Sequence, residues 1–180
     1  MNQEPAMDRH DHIILRCSAV VFRGRAVLLV HRTCADADDW VLPGGTPQEG
    51  ESTLSCARRE TLEETGLAIE PERVAFVFET LGPDEQQRTV DLVFTTRGSP
   101  DERRLAAREK GLHPQFVAFT QLPALDLRPP LAGHLPALLD HNGRRCAPYL
   151  GNLWRPTAVQ DATAPTAHPV ERLAHLLRSE

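Results

Sequence analysis

Residues 45–67 read GTPQEGESTLSCARRETLEETGL, and this segment carries the strongest signal in the chain. Glu60, Glu63 and Glu64 stand at i, i+3 and i+4 within it, in a stretch that predicts a helix. At 100° per residue these carboxylates lie within about 100° of one another. Like charges on one face destabilise a helix unless a cation lies between them. Hard divalent cations take such oxygen ligands and also bind phosphate oxygens, so the cluster predicts a metal site for a phosphate-bearing substrate.

The ends of the segment favour a helix on separate grounds. Residues 51–53 are small or polar capping candidates, and Gly66 is a C-terminal stop. Arg59 lies near Glu63 in angle, so it either holds that carboxylate in place or forms an exposed ion pair worth under about 1 kcal/mol. The predicted inward stripe follows spacings of three and four and consists of Leu54, Ala57, Thr61 and Thr65. Because glutamate-rich surface helices are common, the carboxylates alone leave a solvated face as the alternative.

The full set of fixed positions resembles the Nudix box, G-x5-E-x7-R-E-U-x-E-E-x-G-U, in which U is a bulky apolar residue. Every glycine, glutamate and arginine of that pattern is present, and the departure is Thr61 at the first U position. A softer likeness extends over about residues 17–139. The resemblance implies an α/β/α sandwich with a mixed β-sheet, and hydrolysis of a diphosphate linkage with Mg²⁺ or Mn²⁺ as cofactor.

The same resemblance implies roles for individual residues. Arg59 and Glu51 would support the metal-binding carboxylates. The proton acceptor would be Glu63, or a glutamate outside the box, for which Glu109 is the candidate and Glu102 its competitor. The implied metal ligands are Glu60, Glu63, Glu64 and the backbone carbonyl of Gly44.

Two residues upstream of the box are candidates for substrate binding. Arg32 ends an apolar run, where its guanidinium either contacts a substrate phosphate in a bidentate manner or lies exposed. Trp40 is expected in the core or at the rim of a pocket. Asp91, in contrast, is expected to be a surface carboxylate rather than a ligand.

The remainder of the chain predicts strands around the box helix. Residues 18–22 and 26–30 are apolar β-rich runs that predict a hairpin with a buried face. Further predictions are a strand that begins at Trp40 and runs into a tight Gly44-Gly45 loop, strands at 74–78, 89–94 and 116–119, and a late helix at 131–139. This combination of strands and two helices predicts an α/β fold with a mixed sheet.

Length and composition indicate one catalytic domain with appended ends. The 180 residues and 41% hydrophobic content suffice for a single sizeable core. We expect a flexible tail at 1–12, the Nudix domain at 13–142, and a C-terminal extension at 143–180 with a Pro/Ala-rich arm and a short helix. That helix, at 170–178, could dock on its own domain or on a second subunit, so a homodimer stays open.

Charge and cysteine usage restrict the partners. A net charge of −5 without a long Lys/Arg run disfavours nucleic acid, which needs basic side chains to neutralise its phosphates. No apolar run approaches the roughly 18 residues that span a membrane. Four cysteines without C-x-x-C spacing favour reduced thiols and a cytoplasmic protein. The expected partner is therefore a small-molecule nucleotide.

The expected substrate is a nucleoside diphosphate linked to another moiety, of the ADP-ribose or NDP-sugar type, and the expected product is a nucleoside monophosphate. Pro83 lies sixteen residues beyond Leu67, and a proline near that offset marks ADP-ribose pyrophosphatases in the family that the chain resembles. Two alternatives stay open. One is a nucleoside triphosphate pyrophosphohydrolase that sanitises the nucleotide pool, and the other is a non-catalytic domain that binds nucleotides and regulates.

Overall fold

Nine strands and two α-helices make up the part of the chain that the computed structural model describes, namely residues 13–34, 37–83, 88–98, 101–140 and 148–156. The strands are β1 (Ile13–Val20), β2 (Phe22–Arg23), β3 (Ala26–Cys34), β4 (Ala37–Val41), β5 (Gly44–Gly45), β6 (Glu70–Leu81), β7 (Arg88–Arg97), β8 (Leu112–Ala118) and β9 (Tyr149–Asn152). The helices are α1 (Thr53–Thr65) and α2 (His134–Asp140). The predicted tail at 1–12 and the predicted helix at 170–178, on which the homodimer alternative depends, lie outside the described residues.

The strands form two sheets. The first has the order β5-β1-β7-β6-β9 and is mixed, since β1 runs parallel to β7 and β9 parallel to β6 while the other neighbours are antiparallel. In the second, β3 pairs antiparallel with β2, β4 and β8. The predicted α/β class with a mixed sheet is confirmed. No helix within the described ranges is long and apolar enough to cross a membrane.

The predicted hairpin of residues 18–22 and 26–30 differs from the observed pairing. Only β2 forms the hairpin with β3, through the pairs Phe22↔Val27 and Arg23↔Ala26. Residues 18–20 belong to β1 and pair with β7 in the other sheet. The chain therefore crosses between sheets at Val21. Residues 17–21 are all buried, before and at the crossing point. The hydrophobic pattern of the sequence therefore does not mark where the chain leaves one sheet for the other.

Helix α1 begins and ends where its capping residues predict. Ser52 is the N-cap and accepts a hydrogen bond from the Ser55 amide, and Gly66 is a left-handed C-cap with φ of 75°. The helix packs on β1 and β5. Its buried residues are Cys56, Ala57, Thr61 and Thr65.

The predicted inward stripe of α1 was wrong at one position. Leu54 is 40% exposed, and Cys56 takes the buried place instead. Cys56 packs with Cys17 of β1 and Phe94 of β7, and its thiol lies 3.4 Å from the Gly45 carbonyl oxygen. A small side chain is needed at this contact because the helix approaches the sheet closely. The face of α1 that carries Glu60, Glu63 and Glu64 consequently lies at the edge of the sheet, beside β5.

The largest buried cluster holds the rest of the fold together. It joins residues of both sheets, such as Leu29 and Phe76, to Leu135 and Leu138 of α2. At roughly 25 cal/mol per Å² of apolar area removed from water, such burial is the main stabilising term. The cluster supports the strands on which the candidate site is built.

Candidate active site

Arg59 joins three of the four glutamates that occupy fixed positions of the box. Its Nε and Nη2 atoms donate to the two oxygens of Glu51, each at 2.9 Å. Its Nη1 atom donates to Glu60 at 2.7 Å and to Glu63 at 2.9 Å. The Arg59 hydrogen bonds are the largest cause that lowers the pKa of Glu51 to about 2. The same contacts raise the pKa of Arg59, so the guanidinium is a permanent cation within the carboxylate cluster.

Gly45 leaves space that the Glu60 carboxylate fills. A Cβ atom built on Gly45 would lie 2.3 to 2.5 Å from the carboxyl carbon and oxygens of Glu60. Any side chain at position 45 would therefore displace Glu60 from its contact with Arg59. The need for glycine at this position arises from close approach between the loop and the helix.

Glu64 faces the other glycine of the pair. The Gly44 amide donates to Glu64 Oε2 at 2.9 Å. The pKa of Glu64 is raised to about 7; burial is the largest cause, the Gly44 amide and Arg16 oppose it, and the charges of Glu60 and Glu109 add to it. This carboxyl is thus desolvated and has both like charges and one cation near it. The structure places the Gly44 amide against it, and the Gly44 carbonyl as a ligand stays a prediction.

The loop that carries Glu109 lies against the C-terminal end of α1. The Ala106 amide donates to the Thr65 carbonyl at 3.0 Å, and the charge of Glu109 acts on Glu64. Its competitor Glu102 instead accepts a hydrogen bond from Arg23 at 2.8 Å. Of the two candidates outside the box, Glu109 is the one whose charge acts on Glu64, and its role stays a prediction.

A cleft of about 190 Å³ lies beside the Gly44 loop. Its lining residues are Arg16, Ser18, Arg32, Val41, Leu42, Phe78, Thr80, Thr89, Asp91, Arg128, Pro129 and Leu131. Arg32, predicted to bind substrate, lines this cleft and donates through Nε and Nη2 to both oxygens of Asp39, each at 2.7 Å.

Trp40, also predicted to bind substrate, does not line this cleft. Its ring stacks on the ring of His31, with centroids 4.5 Å apart and planes 4° from parallel. The neighbouring residue Val41 does line the cleft. Successive side chains of a strand point to opposite faces, so Val41 and Trp40 on β4 face opposite ways.

The expectation that Asp91 is a surface carboxylate was wrong. Asp91 is 4% exposed, and its Oδ2 atom accepts a hydrogen bond of 2.8 Å from Ser18 and lies 3.3 Å from Arg16 Nε. Its Oδ1 atom is buried and has no hydrogen-bond partner among the described residues. Burial raises the pKa of Asp91. The available sequence signal was that Asp91 is the one polar residue among the apolar residues of the 90–94 part of β7.

Sequence reasoning also missed Arg128, which forms one wall of the cleft. Arg128 donates to Asp126 Oδ2 and to the carbonyls of Arg155 and Pro156, the last two at 2.8 and 2.7 Å. Arg155 in turn contacts Asp126 at 2.6 Å. These contacts join residues 126–128 to residues 155–156. No local sequence pattern predicts that these two segments meet.

The NUDIX domain family model matches residues 14–138 of this chain. The chain belongs to the Nudix family. It is a pyrophosphohydrolase of that family, as the complete box and the family match together indicate.

Solved structures share the fold of this Nudix hydrolase. A NUDIX hydrolase from Nitrosomonas europaea matches with a TM-score of 0.60 and 21% identity, over 76% of this chain and 93% of that one. An ADP-ribose pyrophosphatase from Streptococcus suis matches with a TM-score of 0.53 and 23% identity, over 77% and 97%. A MutT NUDIX hydrolase from Burkholderia pseudomallei matches with a TM-score of 0.51 and 24% identity, over 61% and 85%. At these identities the likeness concerns the fold.

The donor set of this Nudix hydrolase fits a hard divalent cation. Within the described residues, no three acidic, histidine or cysteine side chains converge as a finished coordination set, and Arg59 contacts three of the box carboxylates instead. Glu64, however, is a desolvated carboxyl among like charges whose direct hydrogen bond comes from one amide. Carboxylate oxygens of this kind gain most from a cation, and oxygen ligands suit Mg²⁺ or Mn²⁺.

Proposed function

We propose that this Nudix hydrolase cleaves the diphosphate linkage of a nucleoside diphosphate joined to another moiety, of the ADP-ribose or NDP-sugar type, and releases a nucleoside monophosphate. The observation that supports this proposal is the adjacency of two parts. A cleft with arginines in its walls lies beside Gly44, and the Gly44 amide holds Glu64 of the carboxylate cluster. A linkage between two phosphates, with one moiety in the cleft, would reach that cluster.

The proposed metal ligands are Glu60, Glu63, Glu64 and the Gly44 carbonyl, with Mg²⁺ or Mn²⁺ as the cation. When bound, such a cation supplies positive charge that stabilises the charge developing on the phosphate oxygens. Arg59 orients Glu60 and Glu63 through its Nη1 atom, and Glu51 orients Arg59 through two hydrogen bonds. Supports of this kind fix the geometry of ligands and contribute to metal affinity.

The proposed proton acceptor is Glu63 or Glu109. Glu63 has a side chain that is 48% exposed, so one of its oxygens can face a water molecule while the other accepts from Arg59. Glu109 is exposed and carries its charge close to Glu64. Either carboxylate would take one proton from the attacking water. The water oxygen forms a bond to one phosphorus, and the bond from that phosphorus to the bridging oxygen breaks.

The carboxylate roles are tested with Glu60→Gln and Glu64→Gln, beside Glu72→Gln as a control on an exposed ion pair with Arg97. We expect turnover in the first two variants to fall by about 100-fold or more, because each loses a charged oxygen ligand. Circular dichroism should show a folded protein in all three. Near-normal turnover in both site variants would defeat the assignment.

The substrate class is tested with a panel of ADP-ribose, NDP-sugars and nucleoside triphosphates in Mg²⁺, with products separated by chromatography. We expect a nucleoside monophosphate and a phosphorylated remainder from the linked diphosphates. Release of pyrophosphate from triphosphates alone would favour the pool-sanitising alternative. Absence of turnover with tight, metal-independent nucleotide binding would favour the regulatory one. One structural neighbour is named as an ADP-ribose pyrophosphatase and another as a MutT NUDIX hydrolase, at identities that concern the fold alone, so the substrate class depends on this panel.

The proposed setting is the cytoplasm, with a small-molecule nucleotide as partner. Cys17 and Cys56 are buried, free thiols, and such thiols persist in a reducing compartment. Localisation of a tagged protein by cell fractionation would test this assignment.

A further inference from the structure

The floor of the cleft is connected to the carboxylate cluster by a chain of direct contacts. Ser18 donates to Asp91 at 2.8 Å and pairs with Gly44 in the β1–β5 ladder. A Cβ atom on Gly44 would lie 2.6 Å from the Ser18 hydroxyl oxygen, so the two residues touch. The Gly44 amide then donates to Glu64. The cleft and the cluster are therefore neighbouring parts of one surface.

Arg16 occupies this junction. It stands two residues before Ser18 on β1, and its side chain lines the cleft with 29% exposure. Its Nε atom faces Ser18 and Asp91, each at 3.3 Å, and its Nη2 atom donates to the Leu42 carbonyl at 3.1 Å. The Nη1 atom has no acceptor among the described residues. The charge of Arg16 favours the ionised forms of both Asp91 and Glu64.

The other two arginines of the cleft are each held by a carboxylate through two nitrogens. Arg32 has Nε and Nη2 on the carboxylate of Asp39. Arg128 donates hydrogen bonds through Nε and Nη2 to Asp126, and through Nη1 to two backbone carbonyls. Arg16, in contrast, donates to a hydroxyl and to a backbone carbonyl, and its Nη1 atom has no acceptor among the described residues. Its guanidinium can therefore donate to a ligand without breaking these contacts.

We propose that Arg16 binds the phosphate group that stays with the moiety held in the cleft, and that Asp91 and Ser18 position its guanidinium. This inference rests on the proposed function, and it adds a substrate-binding residue that lies outside the box. Guanidinium groups suit phosphate because they present parallel N–H donors to its oxygens. A cation at this point also offsets the repulsion that the glutamate cluster exerts on an incoming anion. Asp91 is a positioning residue, since it acts through Arg16.

The test compares ligands with and without a phosphate. Binding of AMP, CMP, GMP and UMP, each beside its own nucleoside, is measured by calorimetry in a chelator for the wild type, Arg16→Gln and Arg16→Lys. We expect Arg16→Gln to reduce the preference for a monophosphate over its nucleoside about tenfold, and Arg16→Lys to restore part of it. Arg97→Gln, which alters an exposed ion pair, is the matched control and should leave the preference unchanged. An unchanged preference in Arg16→Gln would overturn the proposal.

Arg16→Gln leaves the buried Asp91 carboxylate without its cation, so this variant could fold poorly. A second variant keeps the test decisive in that case. Asp91→Asn is measured alone and combined with Arg16→Gln. We expect Asp91→Asn to raise KM more than it lowers kcat, and to have little effect once Arg16 is replaced, because the two act as a unit. Additive effects would overturn the positioning role.

The two proposals fail in distinguishable ways. Turnover of linked diphosphates with the same KM in wild type and Arg16→Gln would sink the Arg16 assignment and leave the proposed function standing. No turnover of any panel compound, together with a monophosphate preference that Arg16→Gln abolishes, would sink the proposed function and leave Arg16 as an anion-binding residue.

Discussion

Arg59 and the Gly44-Gly45 pair together determine where the box carboxylates lie. Arg59 contacts Glu51, Glu60 and Glu63, while Gly44 donates to Glu64 and Gly45 leaves the space that Glu60 fills. A helix fixes the backbone of a glutamate but leaves its side chain free to adopt several rotamers. These contacts select the rotamers and so fix the positions of the carboxylate oxygens. The spacing of the glutamates on the helix is thus necessary for the site, and the loop and the arginine complete its geometry.

Gly45→Ala tests the close approach of the loop to the helix. The new Cβ would meet the Glu60 carboxylate at 2.3 to 2.5 Å, so Glu60 must move by about an ångström or the loop must shift. We expect turnover to fall by about 100-fold, since misplacement on this scale is that costly. Gly133→Ala is the matched control, because nothing lies within 4 Å of its Cβ position. Equal turnover in the two variants would contradict the packing described for Glu60.

Glu64 makes stability depend on pH with a definite sign. Its pKa in the folded protein, about 7, lies above the ordinary value of 4.5, so the folded state binds the proton more tightly than the unfolded state. The contribution of Glu64 to the free energy of unfolding is therefore fully present below about pH 4.5 and is lost as the pH rises through 7. Over that pH range the free energy of unfolding of the wild type should fall by at most about 3 kcal/mol relative to that of Glu64→Gln, whose side chain stays neutral.

Urea unfolding of wild type and Glu64→Gln at pH 5 and pH 8.5, in a chelator, measures this difference. Glu51→Gln, compared with wild type at pH 5 and pH 2.5, supplies a contrast of opposite sign in a lower pH range. The pKa of Glu51 is lowered to about 2 by Arg59, so its contribution is present above about pH 4.5 and disappears as the pH falls toward 2. A stability difference between wild type and Glu64→Gln that is the same at both pH values would show that Glu64 is not desolvated.

At the scale of elements, α1 depends on its caps rather than on charges at its ends. It has no acidic residue in its first turn and no basic residue in its last turn. Ser52 Oγ accepts from the Ser55 amide at 3.2 Å, and Gly66 closes the other end in a left-handed conformation. These caps satisfy backbone groups that have no partner within the helix.

Ser52→Ala removes the N-terminal cap, and we expect the free energy of unfolding to fall by about 1 kcal/mol. Ser55→Ala is the control, because it removes the contact between the two hydroxyls and keeps the capping acceptor. That control should change stability by less than about 0.5 kcal/mol. Chemical denaturation measures both variants. Indistinguishable losses in the two would mean that the hydroxyl contact, and not the cap, stabilises this end of α1.

In the whole molecule, residues 148–156 extend one sheet and hold a residue that lines the cleft, although they lie beyond the 14–138 match to the family model. Strand β9 covers the edge of β6, and the Val77 amide donates to the Pro148 carbonyl at 2.8 Å. Arg155 and Pro156 then accept from Arg128 in the cleft wall. The segment thereby links the C-terminal part of the chain to the candidate substrate site.

Asn152→Ala tests the attachment of this segment. The Asn152 side chain accepts from the Leu81 amide and donates to the Leu81 carbonyl, each at 3.1 Å, and so continues the ladder of β6. We expect faster hydrogen exchange at the Leu81 amide and a loss of roughly 1 kcal/mol in the free energy of unfolding. Tyr149→Phe, which removes only the hydroxyl contact with Glu79, should leave that amide protected. Unchanged exchange in Asn152→Ala would show that the segment is held by other contacts.

Those features of this protein that depend on residues close together in the chain could be predicted from its sequence. The boundaries of α1 and the spacing of Glu60, Glu63 and Glu64 follow from capping and from 3.6 residues per turn, which are local properties. The α/β class followed from the order of apolar runs. Position 54 was assigned wrongly because the helical period alone does not say how closely a helix approaches its sheet.

Contacts between residues that are far apart in the chain became visible only in the folded structure. Asp91 and Ser18 are 73 positions apart in the chain, and their contact exists because β1 and β7 are parallel neighbours in one sheet. The same pairing buries Asp91 and brings Arg16 to the cleft. Strand pairing between remote segments depends on the packing of the whole core, so a local pattern contains no record of it. The cluster of glutamates could therefore be predicted from the sequence, whereas the cleft beside it could not.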